Sequence, residues 1–308
     1  MDGKIRKYIA CVLLGCLPAL YCNAQQEDRR LTEMMPEIPE ELTEPAERAA
    51  YLVMHFWDRY DFGDADFLRK DDLLERGFAD YADLLSLVPE EVREQSAGVL
   101  MRKAGVRKEA LTDVLRLCEK YLYEPDSPLY DEEKLIPLLK QALASPLLDG
   151  AAEKIRPAYL LEQALKNRTG QVATDFTFTP ADGQTGTLHA AAATAERTLL
   201  YFHDPECEDC RMLTGRLKDS PLVGRLVREG KLAVLAVYTG EDTEAWTEHA
   251  RSFPDAWIYA RDATQQIDRE ERYNIRRFPT LYLLDRNKKV LLKETSFEKL
   301  VACLDGRP

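Results

Sequence analysis

A chain of 308 residues, 45% of them apolar, is long enough for two cored domains and too apolar to be disordered throughout. Its formal net charge of -12 argues against nucleic-acid binding, because no excess of Lys and Arg is available to meet phosphate. The acidity by itself serves solubility.

Lys4, Arg6 and Lys7 make a positive start. Tyr8 to Tyr21 follows as an apolar stretch of about 14 residues, short of the roughly 20 that a membrane-spanning helix needs. Cys22 and Ala24 then place small side chains ahead of a cleavage point. Residues 1–24 therefore read as a signal peptide, and the protein as exported and periplasmic. Leu13-Leu14-Gly15-Cys16 also resembles a bacterial lipid-attachment motif, which makes a lipid anchor through Cys16 the alternative. Export leaves Cys118, Cys207, Cys210 and Cys303 in the mature chain, too sparse for a disulfide scaffold.

Residues 25–45 are rich in Glu, Gln and Pro and poor in large apolar groups, which predicts a mobile linker. Residues 46–168 read as an all-α domain. Pro89-Glu90-Glu91 opens a helix that Gly105 closes. Leu111, Val114, Leu115, Cys118, Tyr121 and Leu122 recur at spacings of three and four, one apolar stripe that makes Cys118 a buried thiol. A further helix is expected around Leu135 to Ala144, with Pro137 in its first turn and Ser145-Pro146 ending it.

From residue 169 to 308 the pattern alternates strands and helices. Phe176 to Thr179 reads as a strand, and Asp182-Gly183-Gln184 as a hairpin turn. Strands follow at Thr198 to His203, Leu232 to Tyr238, Ile258-Tyr259, Thr280 to Leu284 and Val290 to Lys293. Helices are expected from Cys207, over Glu241 to Ser252, and from an N-cap at Ser296 to Leu304. Such an order implies an α/β sandwich around a central sheet. Cys303 lies near the apolar stripe of the last helix, and a disulfide from it to Cys118 would need geometry that spacing does not supply.

The chemistry concentrates at Cys207-Glu208-Asp209-Cys210, just after a strand. Two cysteines three apart at a helix start lie roughly 5–6 Å apart at Cα, within reach of a disulfide. Backbone N–H groups there stabilise a thiolate, so Cys207 is placed as nucleophile and Cys210, one turn inside, as the resolving thiol. With Gly170 to Phe176, the Cys-x-x-Cys after a strand, Phe278-Pro279-Thr280 before a strand, and Leu281 to Asp285, the C-terminal half resembles the exported thioredoxin-like proteins of the TlpA/ResA and alkyl hydroperoxide reductase group. The resemblance implies a thioredoxin-like α/β domain that exchanges disulfides. It implies a cis-proline at Pro279, with Phe278 and Thr280 flanking a substrate, and an upstream thiol donor for protein or small disulfide substrates. No cofactor or metal is implied.

The chain departs from thioredoxin in two ways. Glu206, Glu208 and Asp209 crowd the pair and oppose thiolate formation, which suggests a reducing couple. Thioredoxin's buried acid, six residues before the first cysteine, is replaced by Tyr201; Asp204 or His203 could take its place, against the plainer reading that both only shape the turn before the helix. Three rival functions remain on the residues alone. A metal site would use Cys207, Cys210 and His203, but a second ligand pair is missing. A peroxidase would want Thr where Asp204 stands. A partner-binding protein would act through the helical domain, with the cysteines a static disulfide or a relic. The clusters His55 to Phe62 and Tyr121 to Pro128 resemble a helical domain of unknown function found ahead of thioredoxin-like domains in exported proteins of gut bacteria.

Overall fold

The computed structural model describes residues 33–69, 72–181, 183–191 and 195–306. The expected signal peptide and Cys16 lie outside them. The chain divides into two compact units, Met1–Ala164 and Leu165–Pro308.

The first unit is built from helices α1 (Pro45–His55), α2 (Ala65–Arg69), α3 (Leu73–Leu84), α4 (Glu90–Ala104), α5 (Lys108–Cys118), α6 (Glu132–Leu143) and α7 (Ala151–Leu165). Among its described residues none forms a strand. α4 packs against α1, α5 and α6. The aromatic run after α1 closes the core: the Trp57 ring meets Phe56, Tyr60, Phe62 and Tyr81, and Trp57 is wholly buried. Cys118 is a fully buried thiol, as the stripe implies. Helix α5 stops there and passes into a π-turn, Glu119–Tyr123.

Two expectations about this unit fail. The segment expected as a mobile linker is packed from residue 33 onward: Met34 is buried, and Met35 and Ile38 lie against the helical core. Arg59 ties it down through the Glu33 carbonyl at 2.8 Å and the Glu37 carboxylate at 3.0 Å. Scattered apolar residues are enough to hold a polar segment when a core offers them a place. Pro137 is the second. Asp131 accepts from the Glu133 and Lys134 N–H groups and starts α6 ahead of Leu135, so Pro137 falls inside the helix.

The second unit holds a seven-stranded sheet in the order β2-β1-β5-β4-β3-β6-β7. The strands are β1 (Thr177–Pro180), β2 (Gly186–Thr187), β3 (Arg197–His203), β4 (Leu232–Tyr238), β5 (Ile258–Arg261), β6 (Thr280–Asp285) and β7 (Val290–Leu292). β3 runs parallel to β4 and antiparallel to β6, and β4 is parallel to β5. Helices α8 (Glu208–Asp219), α9 (Pro221–Arg228), α10 (Thr243–His249), α11 (Gln266–Arg269) and α12 (Phe297–Leu304) complete it. Side chains alternate across β3: Leu199 and Tyr201 enter one core with Leu217 and Leu300, while Leu200 and Phe202 enter another with Phe176 and Tyr282. This is the α/β thioredoxin-like arrangement that the resemblance implies. Ser296 caps α12 by accepting from the Lys299 N–H, as expected.

One buried acid gives the first unit a pH dependence. Asp80 on α3 is buried, and its Oδ2 has no hydrogen-bond partner among the described residues. Burial raises its carboxyl to about 6 from 3.8; Arg76 offsets part of the rise and Asp83 adds to it. The folded state thus holds this proton more tightly than the unfolded chain. The stability it lends is complete below about pH 4 and is lost as pH rises through about 6. Asp80→Asn is therefore expected to stabilise the protein by about 1–3 kcal/mol at pH 8, in urea unfolding, with the gain gone at pH 4. A gain equal at both pH values would contradict this account.

Candidate active site

β3 lies between β4 and β6 and ends at His203. The chain then turns through Asp204 and Pro205: the Asp204 carboxylate accepts from the Glu206 N–H at 2.8 Å, and the Asp204 carbonyl accepts from the Cys207 N–H at 3.2 Å. That turn sets Cys207 as the N-cap of α8. Its sulfur accepts from the Cys210 N–H at 3.1 Å, so it stands where the positive end of the helix is strongest. The Cys207 thiol also points to the Phe278 carbonyl, 3.6 Å away. Cys207 is half-buried and Cys210 is buried. All four described cysteines are free thiols, including Cys118 and Cys303.

The Phe278–Pro279 bond is cis. The loop before it enters β6 beside β3, with Thr280 paired to Phe202. A half-buried ion pair, Arg276 to Glu294 at 2.7 Å, joins this loop to the segment after β7. Phe278 and Pro279 are partly exposed beside Cys207, whereas Thr280 is buried. The Thr280 hydroxyl donates to the Arg277 carbonyl at 2.6 Å. Its side chain turns inward and shapes the loop, so a substrate flanked by Thr280 would meet its backbone.

Cys210 keeps its proton. Burial pushes its thiol well up, and the hydrogen bond to Cys207 and that residue's charge add to the rise. Below it lies Tyr201, buried, whose hydroxyl donates to the Cys210 carbonyl at 2.9 Å and shares a 3.1 Å hydrogen bond with Thr214. Burial raises the phenol too, so it orders the first turn of α8 without ionising. For His203 the plainer reading holds, and it does not handle the proton. Its ring is sealed against Tyr201, Phe253 and Tyr259, and burial, with a smaller push from His249, lowers it to about 3. A neutral imidazole of that kind accepts no proton near neutrality. Its Nε2 is buried with no hydrogen-bond partner among the described residues. Among the described residues no group of three or more His, Cys, Asp or Glu side chains is placed to hold a metal ion. Likewise, no helix among them is long and apolar enough to cross a membrane.

Sequence reasoning missed Thr214 and the Arg276–Glu294 pair. Neither carries a local motif, and both matter only through partners distant in the chain. Exposure alone orders the thiols. With the protein reduced, iodoacetamide followed by peptide mass spectrometry is expected to modify Cys207 at least about tenfold faster than Cys210 or Cys118. Equal rates at all three would contradict the geometry.

Residues 22–167 match the family described as a domain of unknown function, DUF5106. Residues 186–305 match the family described as a thioredoxin-like domain. A thioredoxin-like protein from Bacteroides caccae is similar over 89% of this chain and 98% of its own, at 35% identity and a TM-score of 0.84. The C-terminal domain of an uncharacterized protein from Bacteroides fragilis is 38% identical over 46% of this chain and 99% of its own, with a TM-score of 0.44. A thiol-disulfide oxidoreductase from Bacteroides fragilis is 22% identical over 44% of this chain and 98% of its own, with a TM-score of 0.39. No curated protein matches the chain significantly.

Proposed function

We propose that the chain, which belongs to the thioredoxin-like proteins that carry a DUF5106 helical domain ahead of the redox fold, is an exported thiol–disulfide oxidoreductase acting through Cys207 and Cys210. One observation carries the proposal: the Cys207 sulfur is partly exposed at a helix start, within reach of both the Cys210 N–H and the Phe278 carbonyl. Electropositive backbone groups at that point favour the thiolate, and partial exposure lets a disulfide approach.

In the reaction, the Cys207 thiolate attacks one sulfur of a substrate disulfide. A Cys207–substrate S–S bond forms, the original S–S bond breaks, and the leaving thiolate takes up a proton. Cys210 then loses its proton and attacks the Cys207 sulfur, releasing the second substrate thiol and leaving a Cys207–Cys210 disulfide. The substrate gains two electrons and the protein loses two. Thiols from an upstream donor reverse the change and restore the pair. The role of Phe278 and Pro279 in this scheme is to border the approach to Cys207. The matching likeness of the helical unit supports no activity of its own.

A reducing couple fits the setting. Ionising buried Cys210 is costly, and the exposed carboxylates of Glu206, Glu208 and Asp209 add negative charge beside Cys207. Disulfide formation removes both thiols from that setting. Redox titration of the mature protein should give a midpoint well below the roughly -120 mV of strongly oxidising couples; a midpoint at that value would overturn the reducing reading. Cys210→Ala should accumulate mixed disulfides on Cys207 in native extract, whereas Cys207→Ala should accumulate none. An empty trap would favour partner binding by the helical unit instead.

A further inference from the structure

We infer that the exchange selects disulfides flanked by positive charge, with Glu206, Glu208 and Asp209 as the specificity-determining residues. The inference rests on the thiol–disulfide reading above and names the substrate class of that same site.

Glu206 and Glu208 are the immediate neighbours of Cys207, and Asp209 follows. All three are exposed. Among the described residues, none makes an ion pair or a side-chain hydrogen bond, although their backbones are used to build the turn. With consecutive Cα atoms about 3.8 Å apart, the three residues sit within about one Debye length of Cys207 at physiological salt. Acids in a first helical turn also suit the helix dipole, which accounts for Glu208 and Asp209. Glu206 stands before the cap, where the helix does not require it.

A second loop contributes charge of the same sign. Tyr238 ends β4 opposite His203. Burial raises its phenol most; the backbone hydrogen bond from Asp242 offsets part of the rise, and the charges of Asp204, Asp242 and Glu206 add to it. Asp204 and Glu206 follow His203 and Asp242 follows Tyr238, so the loops that leave the paired ends of β3 and β4 carry these carboxylates. Asp242 is fixed there as the cap of α10, accepting from the Glu244 and Ala245 N–H groups at 3.0 Å. The cations in the flanking segments are Arg211, next to Cys210, and Arg276 and Arg277, before Phe278; Arg276 is paired with Glu294, and Arg211 and Arg277 are exposed. Burial and the charge of Arg211 lower the His249 imidazole, with Asp204 opposing them, which weakens any positive charge it brings. These segments thus carry more negative than positive charge, beside a sulfur that must meet its substrate by close approach.

A disulfide approaching with positive neighbours is drawn in and one with negative neighbours is held off, and steering of this kind changes association rates by about tenfold or more. For a protein substrate this means basic residues beside its reacting cystine. The chemistry at sulfur is unchanged from the exchange described above, with the same bonds made and broken.

The full mature chain, reduced, would be mixed at low salt with cystamine, a dication, with dithiodiglycolate, a dianion, and with neutral bis(2-hydroxyethyl) disulfide. Rates of thiol loss at Cys207 would be divided by each disulfide's rate with 2-mercaptoethanol at the same pH, which removes differences in leaving-group chemistry. The expected result is a normalised preference of about tenfold or more for cystamine over dithiodiglycolate, collapsing in 0.5 M salt, where the screening length is only about 4–5 Å. A variant carrying E206Q, E208Q and D209N should lose most of that preference at low salt. A normalised ratio near one in the unaltered protein, or a ratio indifferent to salt, would overturn the charge selection. Failure of all three disulfides, the neutral one included, would instead overturn the exchange reading on which it rests.

Discussion

The site depends on the pairing of β3 with two neighbours at once. β3 is parallel to β4 and antiparallel to β6, and every residue from Thr198 to His203 is buried. A strand held on both edges and covered on both faces has little freedom at its end. It therefore delivers Cys207 to the start of α8 at a fixed height, while β6 delivers the Phe278 carbonyl to the same height from the opposite direction. Without that shared strand the cysteine would have a helix start but no bordering loop.

Beneath the pair, polar ties replace the proton-handling acid found in thioredoxin. Tyr201 binds the Cys210 carbonyl and Thr214, so it fixes the first turn of α8 from below. An un-ionised hydroxyl can order a helix turn within a core because its hydrogen bonds are satisfied there. A carboxylate in the same place would titrate. The consequence is a buried Cys210 whose nearest buried hydroxyls hold it in position and do not carry charge. Above the pair the balance reverses, and exposed carboxylates meet solvent around the nucleophile. Burial below and unpaired charge above thus act on the two thiols separately.

Much of this architecture was legible in the sequence because it is local. The alternation in Leu199 to Phe202 follows from the two faces of a strand, and the Ser296 cap follows from its hydroxyl preceding a helix. The apolar stripe through Leu111, Val114 and Cys118 marked a buried face, and all three are buried. Misreadings fell where tertiary contacts override local composition. Residues 33–44 look like a linker by their Glu and Pro content, yet Met34, Met35 and Ile38 find a core to cover. His203 looks like a titratable group beside a cysteine motif, yet three aromatic rings seal it and keep it neutral.

The sequence by itself determined the two-part organisation, the strand and helix that bracket Cys207 and Cys210, and the resemblance that marked Pro279. These rest on periodicity, capping and short motifs, each confined to a few neighbouring residues. Only the tertiary structure decided that the Cys207 sulfur meets the Phe278 carbonyl, 71 residues further along the chain, and that Thr280 turns inward. It also decided that Arg276 closes on Glu294 and that His203 and Tyr238 end their strands side by side. Contacts of this kind arise from sheet order and loop closure, and no local pattern of side chains encodes which distant segments a sheet will place side by side.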